Sequence, residues 1–203
     1  MGVRHSTRDR QMRQRIAQEA ARIIVSEGVR DYLAAKRKAA ERLGAPDTQN
    51  LPRNIEVEAE LAAYQQLFQK QDQPRRLRQL RVAALDAMRF FEGFDPRLTG
   101  SVLSGTAGEH SDINLHLFAD SSEEVHLFLL EANVPYEQSQ RRLRVERDEY
   151  ATYPSVRFLA GDIPIEAMIF PRNGLRQAPR SPLDGKPMSR ANLRRVEELL
   201  AES

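Results

Sequence analysis

The sequence predicts an α+β protein in which an N-terminal helical region precedes a small mixed sheet with helices packed on one of its faces. Apolar residues recur three or four positions apart through the first part of the chain, which is the spacing of amphipathic helices. From Leu98 onward the apolar spacing changes to two, as in half-buried strands. We therefore expect a helical region over residues 1–95, a sheet-containing core over 96–171, and a Pro- and Arg-rich tail with a last helix over 172–203.

Four helices are predicted in the first region. The apolar spacing places them at about residues 8–27, 31–43, 54–68 and 72–93. Asp31 is a suitable N-cap for the second helix, and Gly44 and Pro46 end it. In this second helix the three consecutive basic residues at 36–38 are expected to lie largely outside the core.

The second half alternates strand and helix signals. RLTGSVL and DINLHLFAD have period-two alternation, and SSEEVHLFLLEAN has the capping residues and spacing of a helix. Further strands are predicted in VPYEQSQRRLRVE, SVRFLA and IPIEAMIFP, the last two joined by a Gly161-Asp162 turn. SRANLRRVEELLAE predicts a last helix.

Polar residues share one face of two predicted strands. In DINLHLFAD, period-two geometry puts Asp112, Asn114 and His116 opposite the apolar core side, and in IPIEAMIFP it does the same for Glu166. If the two strands are neighbours, Glu166 lies beside Asp112. An unpaired acid on an apolar strand is costly, so Glu166 either lines a polar cleft or pairs with an arginine such as Arg157.

These residues carry a family resemblance. Gly100-Ser101, then Asp112-Ile113-Asn114-Leu115 after a spacer of about ten residues, then Glu166 on a later strand resemble the pattern of the DNA polymerase beta-like nucleotidyltransferase superfamily. The resemblance covers residues of roughly 96 to 171. The whole chain is also similar to bacterial proteins of this size that are described as nucleotidyltransferase-like.

The resemblance implies a nucleoside triphosphate as ligand and nucleotidyl transfer to a hydroxyl of RNA, protein or a small molecule as the activity. It implies that Gly100 and Ser101 hold the phosphates and that Asp112 and Glu166 hold Mg²⁺, because hard oxygens suit a hard cation. Ser104 and Thr106 are further candidates for phosphate contact. Glycine and serine are also ordinary turn residues, so the same segment is compatible with a plain connecting loop.

Asn114 departs from the family pattern, which has a second acid at this position. A carboxamide supplies a neutral oxygen, so a metal cluster here lacks one negative charge and metal affinity falls. Asn114 occupies the position of a catalytic residue. Its presence there indicates that the protein is a slow enzyme, that it binds a single metal ion, or that it is no longer a catalyst. The alternative function is an inactive module that binds nucleic acid or a protein partner.

Arginines are concentrated in the strand after residue 137 and in the tail. Arg142, Arg144, Arg176 and Arg180 are candidates for contacts with phosphate or nucleic acid. The other interpretation is a solvated basic surface paired with nearby acids. A formal net charge of +2 does not by itself indicate a nucleic-acid partner.

Composition limits the location. The chain has no cysteine, no apolar run of about 20 residues and no apolar signal segment behind its basic first residues. We therefore expect a cytoplasmic protein of bacterial type that has no membrane partner.

Overall fold

A computed structural model describes residues 7–29, 31–46, 48, 50–68, 72–108, 110–146 and 149–202. The predicted α+β class is confirmed, since helices precede a five-stranded mixed sheet. The chain divides into two compact units. The first contains the described parts of residues 1–73, 108–110 and 182–184, and the second contains the rest.

The first unit contains three helices, α1 (Thr7–Glu27), α2 (Tyr32–Arg42) and α3 (Asn54–Phe68). Small and branched apolar residues form its core, among them Ile16, Ala20, Ala39, Val57 and Leu61. The predicted cap is confirmed, because the Asp31 carboxylate accepts a 2.6 Å hydrogen bond from the backbone N–H of Ala34. This bond satisfies one of the amides that have no partner within a helix.

The expectation that all three basic residues of α2 lie outside is wrong for Lys36. Its side chain is buried, and its ammonium group donates to the Pro52 carbonyl at 3.0 Å and to Asn54 Oδ1 at 2.8 Å. Burial lowers the pKa of Lys36. The helical spacing alone does not reveal these acceptors, because they come from a segment about 16 residues further along the chain.

The second unit contains the sheet. Its strand order is β1-β2-β5-β4-β3, with β2 parallel to β5 and the other neighbours antiparallel. In chain order its elements are α4 (Asp72–Phe90), β1 (Arg97–Thr99), α5 (Gly100–Ser104), β2 (Ile113–Ala119), α6 (Ser122–Glu131), β3 (Glu137–Arg144), β4 (Tyr150–Ala160), β5 (Ile163–Pro171) and α7 (Leu193–Ala201).

One face of this sheet packs against helices. Ile113, Leu115 and Ile165 belong to one buried cluster with residues of α4, α6 and α7, such as Leu80, Leu129 and Val196. Side chains alternate along each strand, so residues 112, 114, 116 and 118 and residues 164, 166, 168 and 170 point to the other face. We call this second side the open face. Its far end is apolar, with Phe118, Met168 and Phe170 packed together.

The predicted strand RLTGSVL is only partly correct. It forms β1 over three residues and then turns at Gly100 into the short helix α5. Gly100 has φ of +74°, a left-handed conformation that ends the strand. Leu98 and Val102 are both buried, as the apolar pattern predicts. Leu98 belongs to the strand and Val102 to the helix that follows it.

The predicted ranges 1–95, 96–171 and 172–203 divide the chain differently from the two compact units. From Pro74 onward α4 belongs to the sheet unit, because its apolar stripe forms part of the core under the sheet. The last helix belongs there too, through Val196. None of the helices in the described part of the chain is long and apolar enough to cross a membrane.

Candidate functional site

Three polar residues predicted from the sequence meet on the open face. Parallel pairing of β2 and β5 places Asn114 directly opposite Glu166. Asp112 immediately precedes β2, two residues before Asn114, and therefore lies on the same side of the sheet. The two strands are neighbours, which was the condition for Glu166 to lie beside Asp112, and both acids are on one face.

Gly100 lies against Asn114 at the edge of this group. A Cβ added to Gly100 would lie 3.3 Å from Asn114 Nδ2, which is tighter than an ordinary van der Waals contact. Thr99 pairs with Asn114 across β1 and β2, which fixes this approach. Asn114 Nδ2 also donates to the Asp112 carbonyl at 3.3 Å. Glycine is therefore favoured at position 100 by its φ, and a larger residue would also crowd Asn114.

The other predicted phosphate contacts lie in the loop that follows. The Ser101 carbonyl accepts hydrogen bonds from the backbone N–H groups of Gly105, Thr106 and Ala107 at 2.9 to 3.1 Å, which folds the loop back on α5. The hydroxyls of Ser104 and Thr106 are 2.9 Å apart and hydrogen-bonded to each other. Contact of Gly100, Ser101, Ser104 and Thr106 with a nucleotide stays a prediction.

Each acid of the open face is bound by an arginine. Arg141 on β3 donates through Nε and Nη2 to the two carboxylate oxygens of Glu166, at 2.5 and 2.9 Å. Arg157 on β4 donates through Nη2 to Asp112 Oδ2 at 3.1 Å. Ser155 Oγ lies 3.4 Å from Glu166 Oε1. An arginine fork can match a carboxylate at two points, as Arg141 does, and both pairs compensate for burying the acids.

One alternative predicted from the sequence is that Glu166 pairs with an arginine such as Arg157. Glu166 does pair with an arginine, but this arginine is not Arg157. Arg157 does lie opposite Glu166 in the β4–β5 register, but its guanidinium group turns to Asp112. The partner of Glu166 is Arg141, which reaches across β4 from the edge strand. The sequence does not indicate that Arg141 is the ion-pair partner of Glu166, because Arg141 is one of several arginines in the same strand.

The acids and arginines differ in depth. The side chains of Asp112 and Glu166 are 8% and 10% exposed, whereas those of Arg157 and Arg141 are 42% and 52% exposed. The carboxylates therefore form a buried layer, and the guanidinium groups form a layer above it that faces solvent. The hydrogen bonds to Glu166 raise the pKa of Arg141, so this guanidinium stays charged across the physiological range.

The side-chain oxygens of Asp112, Asn114 and Glu166, as they are arranged here, do not fit a pair of Mg²⁺ ions. Both oxygens of Glu166 and one oxygen of Asp112 accept from guanidinium groups, and Asn114 contributes only a neutral carboxamide. No cluster of three or more His, Cys, Asp or Glu with metal-binding geometry occurs among the described residues. A divalent cation could bind between these acids only if two arginines moved away from them.

His116, which is buried, and Arg190, which is half-buried, form a second polar pair next to this site. Arg190 Nε donates to His116 Nδ1 at 2.9 Å, so the neutral imidazole carries its proton on Nε2. The Arg190 guanidinium lies 5.1 and 5.0 Å from the ring centroids of Phe118 and Phe170. Burial, with a smaller contribution from Arg190, lowers the pKa of His116 to about 3. Burial likewise lowers the pKa of Arg190 to about 10.

The four arginines predicted to contact phosphate do not converge on the acids. Arg142 alternates with Arg141 along β3 and therefore projects from the opposite side of the strand, where its guanidinium lies 4.7 Å from the Tyr150 ring centroid. Arg144 and Arg180 are joined by a backbone hydrogen bond, and Arg180 pairs with Glu146 at 3.5 Å. Arg176 lies exposed after β5.

Comparison with known proteins adds no relative. No family model matches the chain, and no curated protein or solved structure gives a match. The fold and the geometry of the open face are therefore the basis for a functional proposal.

Proposed function

We propose that this chain is a nucleotidyltransferase-like protein that binds a nucleoside triphosphate on the open face of its sheet. The observation that carries the proposal is the meeting of Gly100, Asp112, Asn114 and Glu166 at one end of that face. These are the positions that the family resemblance assigns to phosphate and metal binding.

The charges at the open face support a phosphate ligand. Two guanidinium groups lie in the solvent-facing layer, and arginine is suited to phosphate because its donors form a planar fork. The approach of Gly100 to Asn114 leaves a backbone turn without a side chain beside the polar residues. Such turns let a phosphate come close to the main chain.

Nucleotidyl transfer to a hydroxyl acceptor is the enzymatic form of this proposal. Asp112, Asn114 and Glu166 would be the residues nearest to the reacting phosphate. Because both acids are engaged by arginines, we expect the transfer activity of the natural protein to be weak compared with its binding of nucleotide.

Calorimetric titration with ATP, GTP, CTP and UTP in the presence of Mg²⁺ tests the binding proposal. We expect at least one nucleotide to bind, and the backbone amide resonances of Gly100, Asn114 and Ser155 to shift on its addition. The amides of α1 to α3 serve as the internal control. Absence of binding by all four nucleotides, or resonance shifts confined to another surface, would contradict the proposal.

A second candidate function is an inactive module that binds nucleic acid or an acidic protein through its basic surface. Arg142 and Arg176 are exposed, and neither forms an ion pair with any residue that the structure describes. Exposed arginines without acid partners are available to phosphate. Contacts of arginine with phosphate position a nucleic acid and carry no base specificity.

Fluorescence anisotropy with a labelled single-stranded RNA distinguishes this second candidate. Binding through Arg142 and Arg176 should fall steeply with salt and weaken in Arg142→Gln and Arg176→Gln. A natural protein that binds RNA with no salt dependence, or variants that bind as well as the natural protein, would exclude this surface.

A further inference from the structure

We propose that Arg141 and Arg157 take the place of metal ions at the open face and bind the ligand phosphates directly, so that nucleotide binding does not require a divalent cation. This inference rests on the proposed function and names the groups that would hold the phosphates. It differs from the metal-dependent site that the family resemblance implies.

The layering of charge favours an anionic ligand. Solvent reaches the guanidinium groups before it reaches the carboxylates, because the arginine side chains are 42% and 52% exposed and those of their acid partners 8% and 10%. The two positive and two negative charges sum to zero, but the positive guanidinium groups lie on the solvent side of the carboxylates. The local field therefore attracts an anion and repels a divalent cation.

Both arginines have hydrogen-bond donors left for such a ligand. Arg141 binds Glu166 through Nε and Nη2, which leaves Nη1 without a hydrogen bond to any described residue. Arg157 binds Asp112 through Nη2 alone, which leaves Nε and Nη1. A guanidinium group has five N–H donors, so each arginine can bind a phosphate oxygen while it keeps its carboxylate.

The carboxylates have a positioning role in this arrangement. The bond from Arg141 to Glu166 uses both oxygens, which fixes the plane of the guanidinium group, and Ser155 lies beside the same carboxylate. Arg157 is held toward Asp112 and away from its register partner. Prior orientation reduces the side-chain entropy that an arginine loses when it binds a ligand.

Asn114 is consistent with a site of this kind. Two acids balance two arginines, and a third acid at position 114 would add an uncompensated negative charge directly beside Glu166. The carboxamide instead supplies an N–H group to the Asp112 carbonyl and packs against Gly100. The residue that departs from the metal-binding pattern therefore fits an arginine-neutralised site.

Titration with ATP and with inorganic tripolyphosphate, each with excess EDTA and each with Mg²⁺, tests the inference. We expect ATP to bind at least as tightly in EDTA as in Mg²⁺, because Mg²⁺ reduces the negative charge that the arginines recognise. Arg141→Gln and Arg157→Gln should each weaken binding in EDTA by about tenfold or more, the effect of losing a charge-assisted hydrogen bond. Arg89→Gln is the matched control, because Arg89 on α4 is similarly exposed and is also paired with an acid, Glu197 at 3.0 Å, and it should leave the affinity unchanged.

Removing one arginine leaves an acid buried, so these variants are accompanied by the charge-neutral pairs Arg157→Gln with Asp112→Asn and Arg141→Gln with Glu166→Gln. Each double variant removes both charges of one ion pair and keeps side chains of similar shape at the acid positions. Circular dichroism establishes that they fold. We expect the double variants to lose affinity as well, but less than the single ones, because the carboxylate that repels the phosphates is removed together with the arginine.

The outcomes separate the inference from the proposed function. ATP binding that needs Mg²⁺ and survives the arginine variants overturns the inference and leaves the proposed function in place. Binding of tripolyphosphate but of no nucleotide supports the arginine site and contradicts the nucleotide proposal. Binding of neither ligand under either condition contradicts both.

Discussion

Arg157 binds the carboxylate of Asp112 at 3.1 Å, although the β4–β5 register places it opposite Glu166. This choice leaves Glu166 to Arg141, and the two crossed pairs neutralise both acids of the open face. The arrangement replaces the expected carboxylate cluster by alternating charges. Its consequences for stability, metal binding and ligand binding can be measured separately.

Removal of the Arg157 guanidinium should destabilise the sheet unit through Asp112. In Arg157→Gln a buried carboxylate loses its cationic partner, and we expect the free energy of unfolding to fall by about 1 to 3 kcal/mol. Adding Asp112→Asn should recover part of this loss, because the buried group is then neutral. Urea unfolding of the natural protein, both single variants and the double variant measures the coupling. A coupling energy of zero would mean that the pair contributes no stability.

Asn114→Asp alone should not create a tight metal site. The new acid adds one negative charge, but Arg141 and Arg157 still engage Glu166 and Asp112. Only Asn114→Asp combined with Arg141→Gln and Arg157→Gln exposes three carboxylates to a divalent ion. Titration with Mn²⁺, followed by water proton relaxation, should show stoichiometric binding in the triple variant only. Tight Mn²⁺ binding by Asn114→Asp alone would show that the arginines do not protect the acids.

Gly100→Ala should destabilise the protein more than Gly161→Ala. Both glycines have left-handed φ, +74° and +63°, so both substitutions carry a backbone strain of about 1 to 2 kcal/mol. Only at Gly100 does the added Cβ also meet Asn114, whereas nothing lies within 4 Å at Gly161. We expect a further loss of about 1 kcal/mol at position 100. Thermal unfolding of the two variants compares them, and equal losses would mean that Asn114 moves aside freely.

Stability should fall between about pH 6.5 and pH 3 because of His116. Its pKa of about 3 in the folded protein is below the ordinary value of 6.5, so the unfolded chain binds more protons in this window. The contribution is fully present above pH 6.5 and is lost as the pH falls, by about 3 kcal/mol between neutral pH and pH 4.5. His116→Asn keeps an acceptor for Arg190 and should flatten this part of the profile. Chemical unfolding at several pH values measures it, with His126→Asn as the control, and an unchanged profile in His116→Asn would contradict the assignment.

The strand faces can be predicted from the sequence because side-chain alternation depends only on backbone geometry. That rule assigns Asp112, Asn114 and Glu166 to the polar sides of their strands, and the pairing of β2 with β5 brings these sides together. The Gly161-Asp162 turn likewise joins two neighbouring strands, and the register of this hairpin places Arg157 opposite Glu166. Which face a side chain occupies, and which strands a short turn joins, can therefore be predicted from local chain geometry.

The ion pairs cannot be predicted in the same way. Arg141 reaches Glu166 only because β3 lies beyond β4 in the sheet, and strand order is a property of the whole fold. The long arginine side chain can also reach more than one acid. Arg157 lies opposite Glu166 in the sheet but binds Asp112. Arg190 lies 74 residues from His116 in sequence, and no local pattern indicates their contact.

The affinity of Asp112→Asn for ATP in EDTA is the decisive measurement for the arginine-based site. In Asp112→Asn the amide oxygen can still accept the hydrogen bond that orients Arg157, while the positive charge of Arg157 is no longer compensated. If the arginines bind the phosphates, ATP should therefore bind more tightly than to the natural protein. If Asp112 instead holds a metal that binds the nucleotide, the same substitution removes a ligand. Loss of ATP binding in Asp112→Asn, together with a need for Mg²⁺ in the natural protein, would contradict the arginine-based site.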